Sequence, residues 1–152
     1  YNEWLELKAS YSFLDVTENE GNNSRILPFI QRHRFSGAAS LRPSNFPFYL
    51  DMNVHVNGSQ RLPDPSNLPE QYKYDEFTPV YTILSAQITW KGKQVDIYGG
   101  CENIGGFFQR FPLRAFDDPF GPYFDVTTAW GPTRGREWYM GLRYHIREKT
   151  KS

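Results

Sequence analysis

The chain has almost nothing with which to cross-link itself. One cysteine, Cys101, stands among 152 residues, so neither an internal disulfide framework nor a Cys-based zinc site can be built. Neither sign of charge is in excess: 17 Lys+Arg balance 17 Asp+Glu, which removes the basic footprint of a general nucleic-acid binder. No apolar run approaches the roughly 18 residues of a membrane-spanning helix. The opening Tyr1-Asn2-Glu3-Trp4 carries no secretory-signal pattern, and no window has a convincing helical period.

What the chain does have is aromatic side chains, 17 % of its residues, and alternation of period two. Phe48, Leu50, Met52, Val54 and Val56 alternate with Tyr49, Asp51, Asn53, His55 and Asn57. The same pattern runs through Leu5–Phe13, Phe35–Leu41, Leu84–Trp90, Val95–Cys101 and Trp138–Ile146. Successive side chains of a strand point to opposite faces, so strands are expected near 3–14, 33–42, 46–57, 80–91, 93–103 and 136–146. Each has one greasy face without charge. The other face carries Glu6, Lys8, Arg34, Arg42, Asp51, Asp96, Glu102 and Arg143, which read as residues pairing across strands.

Two situations produce such alternation. A soluble sandwich or small barrel turns its apolar face to a core, whereas a transmembrane barrel turns it to lipid. Three features favour lipid. The runs extend for about ten residues, the length of a tilted spanning strand. Long connections (17–33, 58–79 and 103–136) alternate strictly with the tight ones at Pro43-Ser44-Asn45 and Gly92-Lys93, as when short turns line the periplasmic side and long loops face outward. With directions so assigned, the greasy-face aromatics sort to the strand ends. Tyr11, Phe13, Phe35 and Trp138 fall at the outer end and Phe48, Trp90 and Tyr144 at the inner end, with aliphatic and small residues between. That is the pattern of interfacial girdles.

The fold class expected is therefore all-β: an antiparallel meander of about six long strands, residues 1–146, forming the C-terminal part of a transmembrane β-barrel, with a charged tail at 147–152. Single-chain membrane barrels need about 8 strands at the least, because an open sheet edge finds no partners in lipid. The sequence opens inside a strand, so one end of a longer barrel is expected.

Three segments resemble one family. Leu27-Pro28-Phe29-Ile30-Gln31-Arg32-His33-Arg34-Phe35 is similar to the segment entering a late barrel strand of TonB-dependent outer-membrane receptors of the kind abundant in Bacteroidetes. Tyr81 to Trp90, followed by Val95-Asp96-Ile97-Tyr98-Gly99-Gly100-Cys101-Glu102-Asn103-Ile104, resembles their penultimate hairpin. Trp130-Gly131-Pro132-Thr133-Arg134-Gly135-Arg136-Glu137-Trp138-Tyr139-Met140-Gly141-Leu142-Arg143-Tyr144 resembles their closing strand. The family's barrels usually end on an aromatic residue, whereas here Ile146 is followed by the charged tail. The resemblance spans about 21–146. It implies the bacterial outer membrane and energy-coupled import of a scarce ligand: a ferric siderophore, cobalamin, haem or an oligosaccharide. It further implies a roughly 22-stranded barrel, and as partners outer-membrane lipid, a plug domain and the TonB complex reached through an N-terminal part not in this sequence, and a surface lipoprotein.

The 103–136 connection is the best candidate for ligand contact. Phe107, Phe108, Tyr123 and Trp130 suit stacking on flat or sugar faces, Arg110 and Arg114 suit a carboxylate or phosphate, and Asp117 and Asp118 lie beside them. The same aromatics serve equally to pack the loop on itself. Asp117, Asp118 and Asp125 lack an EF-hand pattern, and His33, His55 and His145 lack metal spacing. Neither metal nor cofactor is expected, and with no acid–base–nucleophile arrangement no enzyme either. The alternative is a soluble all-β carbohydrate- or lipid-binding domain with aromatic-rich loops.

Overall fold

The computed structural model describes residues 4–20 and 23–146; the charged tail 147–152 and the first residues of the expected first strand lie outside the described residues. The alternating segments, rich in β-branched and aromatic side chains that suit a pleated surface, are strands. In chain order these are β1 (Leu5–Phe13), β2 (Thr17–Glu20), β3 (Asn23–Ile26), β4 (His33–Leu41), β5 (Phe48–Asn57), β6 (Tyr81–Lys91), β7 (Val95–Glu102) and β8 (Glu137–Tyr144). Six of them form one sheet in the order β1-β4-β5-β6-β7-β8, with every neighbouring pair antiparallel. The chain is an all-β meander, and its sheet is open, with β1 and β8 at the edges.

One element was not anticipated. The connection 17–33 contains a separate two-stranded hairpin, β2 against β3. Its strands, Thr-Glu-Asn-Glu and Asn-Ser-Arg-Ile, have no apolar alternation, so hydropathy gives no sign of them.

Register shows why the sheet holds together. Leu7, Ala39, Met52, Ala86, Cys101 and Trp138 face one another in turn across all six strands. Small residues, Ala39, Ala86 and Cys101, separate the large ones along that row, so each bulky side chain lies beside a small neighbour. One residue along, Glu6, Ser40, Asp51, Gln87, Gly100 and Tyr139 form the matching polar row. Here the Ser40 hydroxyl donates to Asp51 Oδ1 at 2.6 Å and the Tyr139 hydroxyl to Gln87 Oε1 at 3.1 Å. Tyr139 passes over Gly100, and its neighbour Tyr98 passes over Gly141; a Cβ at either glycine would run into the facing ring.

At the end with the tight turns, Lys91 Nζ and His145 Nε2 both donate to Asp96 Oδ2, at 2.6 and 2.9 Å. Asp96 is 1 % exposed, so these two bonds satisfy a carboxylate that would otherwise be costly to bury.

Apart from Asp96, Cys101 and Thr89, the buried side chains among the described residues are gathered elsewhere. Leu62, Ala115, Gln60, Thr78, Tyr81, Asn103, Gln109 and Thr128 are all buried, and all lie in or beside the long connections 58–80 and 103–136. The greasy face of the sheet, by contrast, is largely open: on the edge strands Leu7 is 69 % and Met140 82 % exposed, and in the middle Ile88 is 53 % exposed, although Cys101 on that face is buried.

Candidate ligand-binding cleft

Two long connections build the site. In the first, Leu62 N donates to Glu76 O at 2.8 Å and Thr78 N to Gln60 O at 2.9 Å, which makes a short ladder at its base. Between these strands of the ladder run Pro63, Pro65 and Pro69, which lack an N–H and cannot lengthen it. A single 3-10 turn, Glu70–Tyr72, then presents Tyr72 and Tyr74. The Tyr74 hydroxyl donates to Pro63 O at 3.2 Å, and burial pushes its pKa above the usual phenol range.

The second connection is fastened at its root by Asn103. Its φ of 50° is a left-handed conformation that asparagine tolerates better than most residues. That bend lets Nδ2 donate to the carbonyls of Phe107, Arg134 and Gly135 while Oδ1 accepts from Phe107 N. One side chain thus ties the start of the loop to its end. Further out, Gln109 does the same work. Its Nε2 donates to Phe111 O and Thr128 O, and its Oε1 accepts from the backbone N–H groups of Trp130 and Gly131. Every donor and acceptor position of this buried amide is used. Between the two clamps the rings of Tyr81 and Phe107 stack, with centroids 4.6 Å apart and planes 5° from parallel, and Trp130 leans on both. The tip is held by a third clamp: Arg114 and Asp125 pair through their backbones, and Arg114 Nη2 donates to Asp125 Oδ2 at 2.6 Å. Hydrogen bonds from the Thr127 hydroxyl and N–H, then the Arg114 guanidinium, hold the Asp125 carboxyl below its usual pKa.

Where the two connections face each other they leave a cleft of about 580 Å³. The first contributes Leu62, Tyr72, Lys73 and Tyr74 to its wall, and the second contributes Phe111, Arg114, Phe116, Asp117 and Trp130. Phe111 and Phe116 lie nearly parallel, 6.3 Å apart and 11° between planes, and are largely exposed. The Tyr72 hydroxyl donates across the gap to Asp117 Oδ2 at 3.3 Å. Charges along the wall are matched locally: Lys73 with Glu70 at 2.7 Å, and Arg114 with Asp125. Chemically the cleft can stack flat faces on Phe111, Phe116 and Tyr72 and offer phenol, amine and carboxylate groups at their edges.

Of the loop residues singled out in the sequence, Arg114, Asp117 and Trp130 line this cleft. Tyr123 adjoins it, its ring 6.0 Å from that of Tyr72. Phe107 lies in the stacked root instead. Phe108 lines a shallow hollow with Gly105, Gly106 and Arg136 on another side of the loop. Arg110 is exposed and outside the cleft, and Asp118 closes the turn in which Gly121 N donates to its carbonyl at 3.0 Å. Tyr72, Tyr74, Phe111 and Phe116 belong to the wall without having been singled out as contacts. The spacing of Tyr72 and Tyr74 in a proline-rich stretch is the one local signal that could have drawn attention to the first pair.

The aromatics expected as girdles lie toward the ends of their strands. Tyr11 faces Phe35 beside the long connections, and Phe48 faces Trp90 beside the tight turns. Tyr11, Phe13, Phe35, Phe48, Trp90, Trp138 and Tyr144 are all exposed.

Compared with known proteins, the chain matches no protein-family model, no curated protein and no solved structure. Among the described residues no helix is long and apolar enough to cross a membrane, which leaves β-strand crossing untouched.

Proposed function

We propose that this chain is part of the barrel wall of a TonB-dependent outer-membrane receptor, importing a scarce ligand without chemical change to it. The observation that carries the reading is the exposed greasy face, which is uncharged across six strands and edged at both ends by aromatic side chains. A contiguous apolar surface of this extent is not left to water in a soluble monomer; in hydrocarbon it is the stable arrangement. The cleft then sits at the outward end, on loops built to meet a ligand before it enters the lumen. Plug, TonB complex and a surface lipoprotein are partners implied by the family likeness alone.

The test uses the intact protein that carries this chain. It is expected to require detergent, to migrate differently before and after heating, and to lose tryptophan fluorescence to brominated lipid, with Trp138→Phe and Trp90→Phe each reducing that quenching. A product that is soluble without detergent and untouched by brominated lipid would favour the soluble binding domain.

A further inference from the structure

The cleft between the two long connections holds about 580 Å³, room for a small organic molecule. Most of its polar groups are already committed to the protein itself. The Gln109 amide is fully bonded, the Tyr74 hydroxyl donates to Pro63 O at 3.2 Å, and the Thr128 hydroxyl donates to Pro112 O at 3.4 Å. Arg114 Nε donates to Tyr123 O at 3.1 Å and its Nη2 to Asp125 Oδ2 at 2.6 Å. Lys73 Nζ lies 2.7 Å from Glu70 Oε2.

Asp117 is the exception. Ala115, buried and left-handed with a φ of 49°, turns the chain so that Phe116 and Asp117 both line the cleft. The Asp117 carboxylate accepts only the Tyr72 hydroxyl among the described residues, at 3.3 Å. That is the long end of the hydrogen-bond range, and a carboxylate has room for several donors more. Lys73 and Arg114 are each cancelled by a carboxylate of their own, so Asp117 gives the cleft one negative charge with no counter-ion among the described residues. It stands beside the exposed rings of Phe111 and Phe116, and ring faces attract cations.

We propose that the cleft binds a flat ring carrying an amine or another organic cation at its edge. The ring lies against Phe111 and Phe116, and the cation donates to Asp117. A sugar brings hydroxyl groups on every side, and this wall has too few uncommitted partners to receive them. A carboxylate or phosphate would need a cation that is not already paired. The inference rests on the reading of this cleft as the receptor's ligand site.

Saturation-transfer NMR on the intact protein in a non-ionic detergent tests it with three indoles of similar size. Near neutral pH tryptamine is a cation, tryptophol is neutral and indole-3-acetate is an anion. Tryptamine is expected to bind about fivefold more tightly than tryptophol, as suits one ion pair at an open rim with ring-face attraction added. Indole-3-acetate is expected to bind weakest. Asp117→Asn removes the preference for tryptamine and leaves tryptophol unchanged, whereas Asp118→Asn, next in sequence but outside the lining, keeps most of it. Phe111→Ser and Phe116→Ser each weaken all three indoles; both side chains are exposed, and unchanged trypsin resistance of the 103–136 connection shows that the loop keeps its shape. Equal affinity for the three indoles, tightest binding of indole-3-acetate, a tryptamine preference that survives Asp117→Asn, or full binding by both phenylalanine variants overturns the assignment. A protein that needs detergent and heat-modifies yet does not distinguish the indoles loses only this ligand class. One that is soluble without detergent and still prefers tryptamine through Asp117 keeps the site and loses the import reading.

Discussion

The sheet and the loop layer follow opposite rules. In the sheet, Leu7, Met140 and Leu142 are exposed and the carboxylate of Asp96 is buried. In the loops, the enclosed residues are mainly polar, Gln60, Thr78, Asn103, Gln109 and Thr128, and their hydrogen bonds run to backbone groups. A soluble domain is stabilised by moving apolar surface out of water. This chain keeps little apolar surface inside, and its loops are ordered by amide clamps and ring stacking. Under the proposed membrane reading, the difference teaches that the two regions answer to different solvents. The sheet then meets a medium that accepts greasy side chains, and the loops meet water and must satisfy their backbone internally.

The contrast can be broken most strongly in the sheet. Met52→Arg places a charge in the middle of the greasy face and is expected to destabilise the protein folded in lipid vesicles by about 2–4 kcal/mol in a urea titration, whereas Asn53→Arg, one residue along on the polar face, stays within about 0.5 kcal/mol. Similar small effects from both would mean that the two faces meet the same medium. In the loops, Gln109→Ala leaves Trp130 N, Gly131 N and two carbonyls without their partner. A loss of about 2–3 kcal/mol is expected, read as trypsin cutting at Arg110 and Arg114 faster by roughly 30- to 150-fold, with the strands still resistant. Within the sheet again, Gly141→Ala forces the Tyr98 ring aside and costs about 1–3 kcal/mol; the double change with Tyr98→Ala recovers part of it. The smallest effect is electrostatic. Because the Asp125 carboxyl is held below its usual value, the tip clamp contributes fully above the ordinary carboxyl range of about 4 and is lost as pH falls through the lowered folded value. Carboxyl NMR titration is expected to show Thr127→Ala returning that midpoint toward normal further than Arg114→Gln does.

How much of this could be read in advance depended on range. The strand expected near 80–91 is Tyr81–Lys91, and the one near 46–57 is Phe48–Asn57, because a strand with one greasy face writes its period into the chain. The hairpin β2–β3 stayed invisible, since its polar residues are paired by backbone hydrogen bonds that no hydropathy records. The site was half legible. Aromatic residues and arginines marked the 103–136 connection, but which of them face a cleft is decided by a second loop more than 30 residues away in sequence. Tyr72 approaches Asp117 across 45 positions, and nothing local at either residue announces it. Asn103 and Gln109 were legible only as polar residues beside aromatics; their role as clamps comes from carbonyls that the folded loop brings to them.

The crossed tyrosines of the last hairpin have a consequence for how β8 finds its place. With Tyr98 against Gly141 and Tyr139 against Gly100, the two strands are keyed like a lock with two wards. Sliding β8 by two residues one way sets Tyr98 against Tyr139, ring upon ring; sliding it the other way sets glycine against glycine and leaves a hole. A slip by a single residue turns the strand inside out. Shape alone thus disfavours the neighbouring registers of this strand pair.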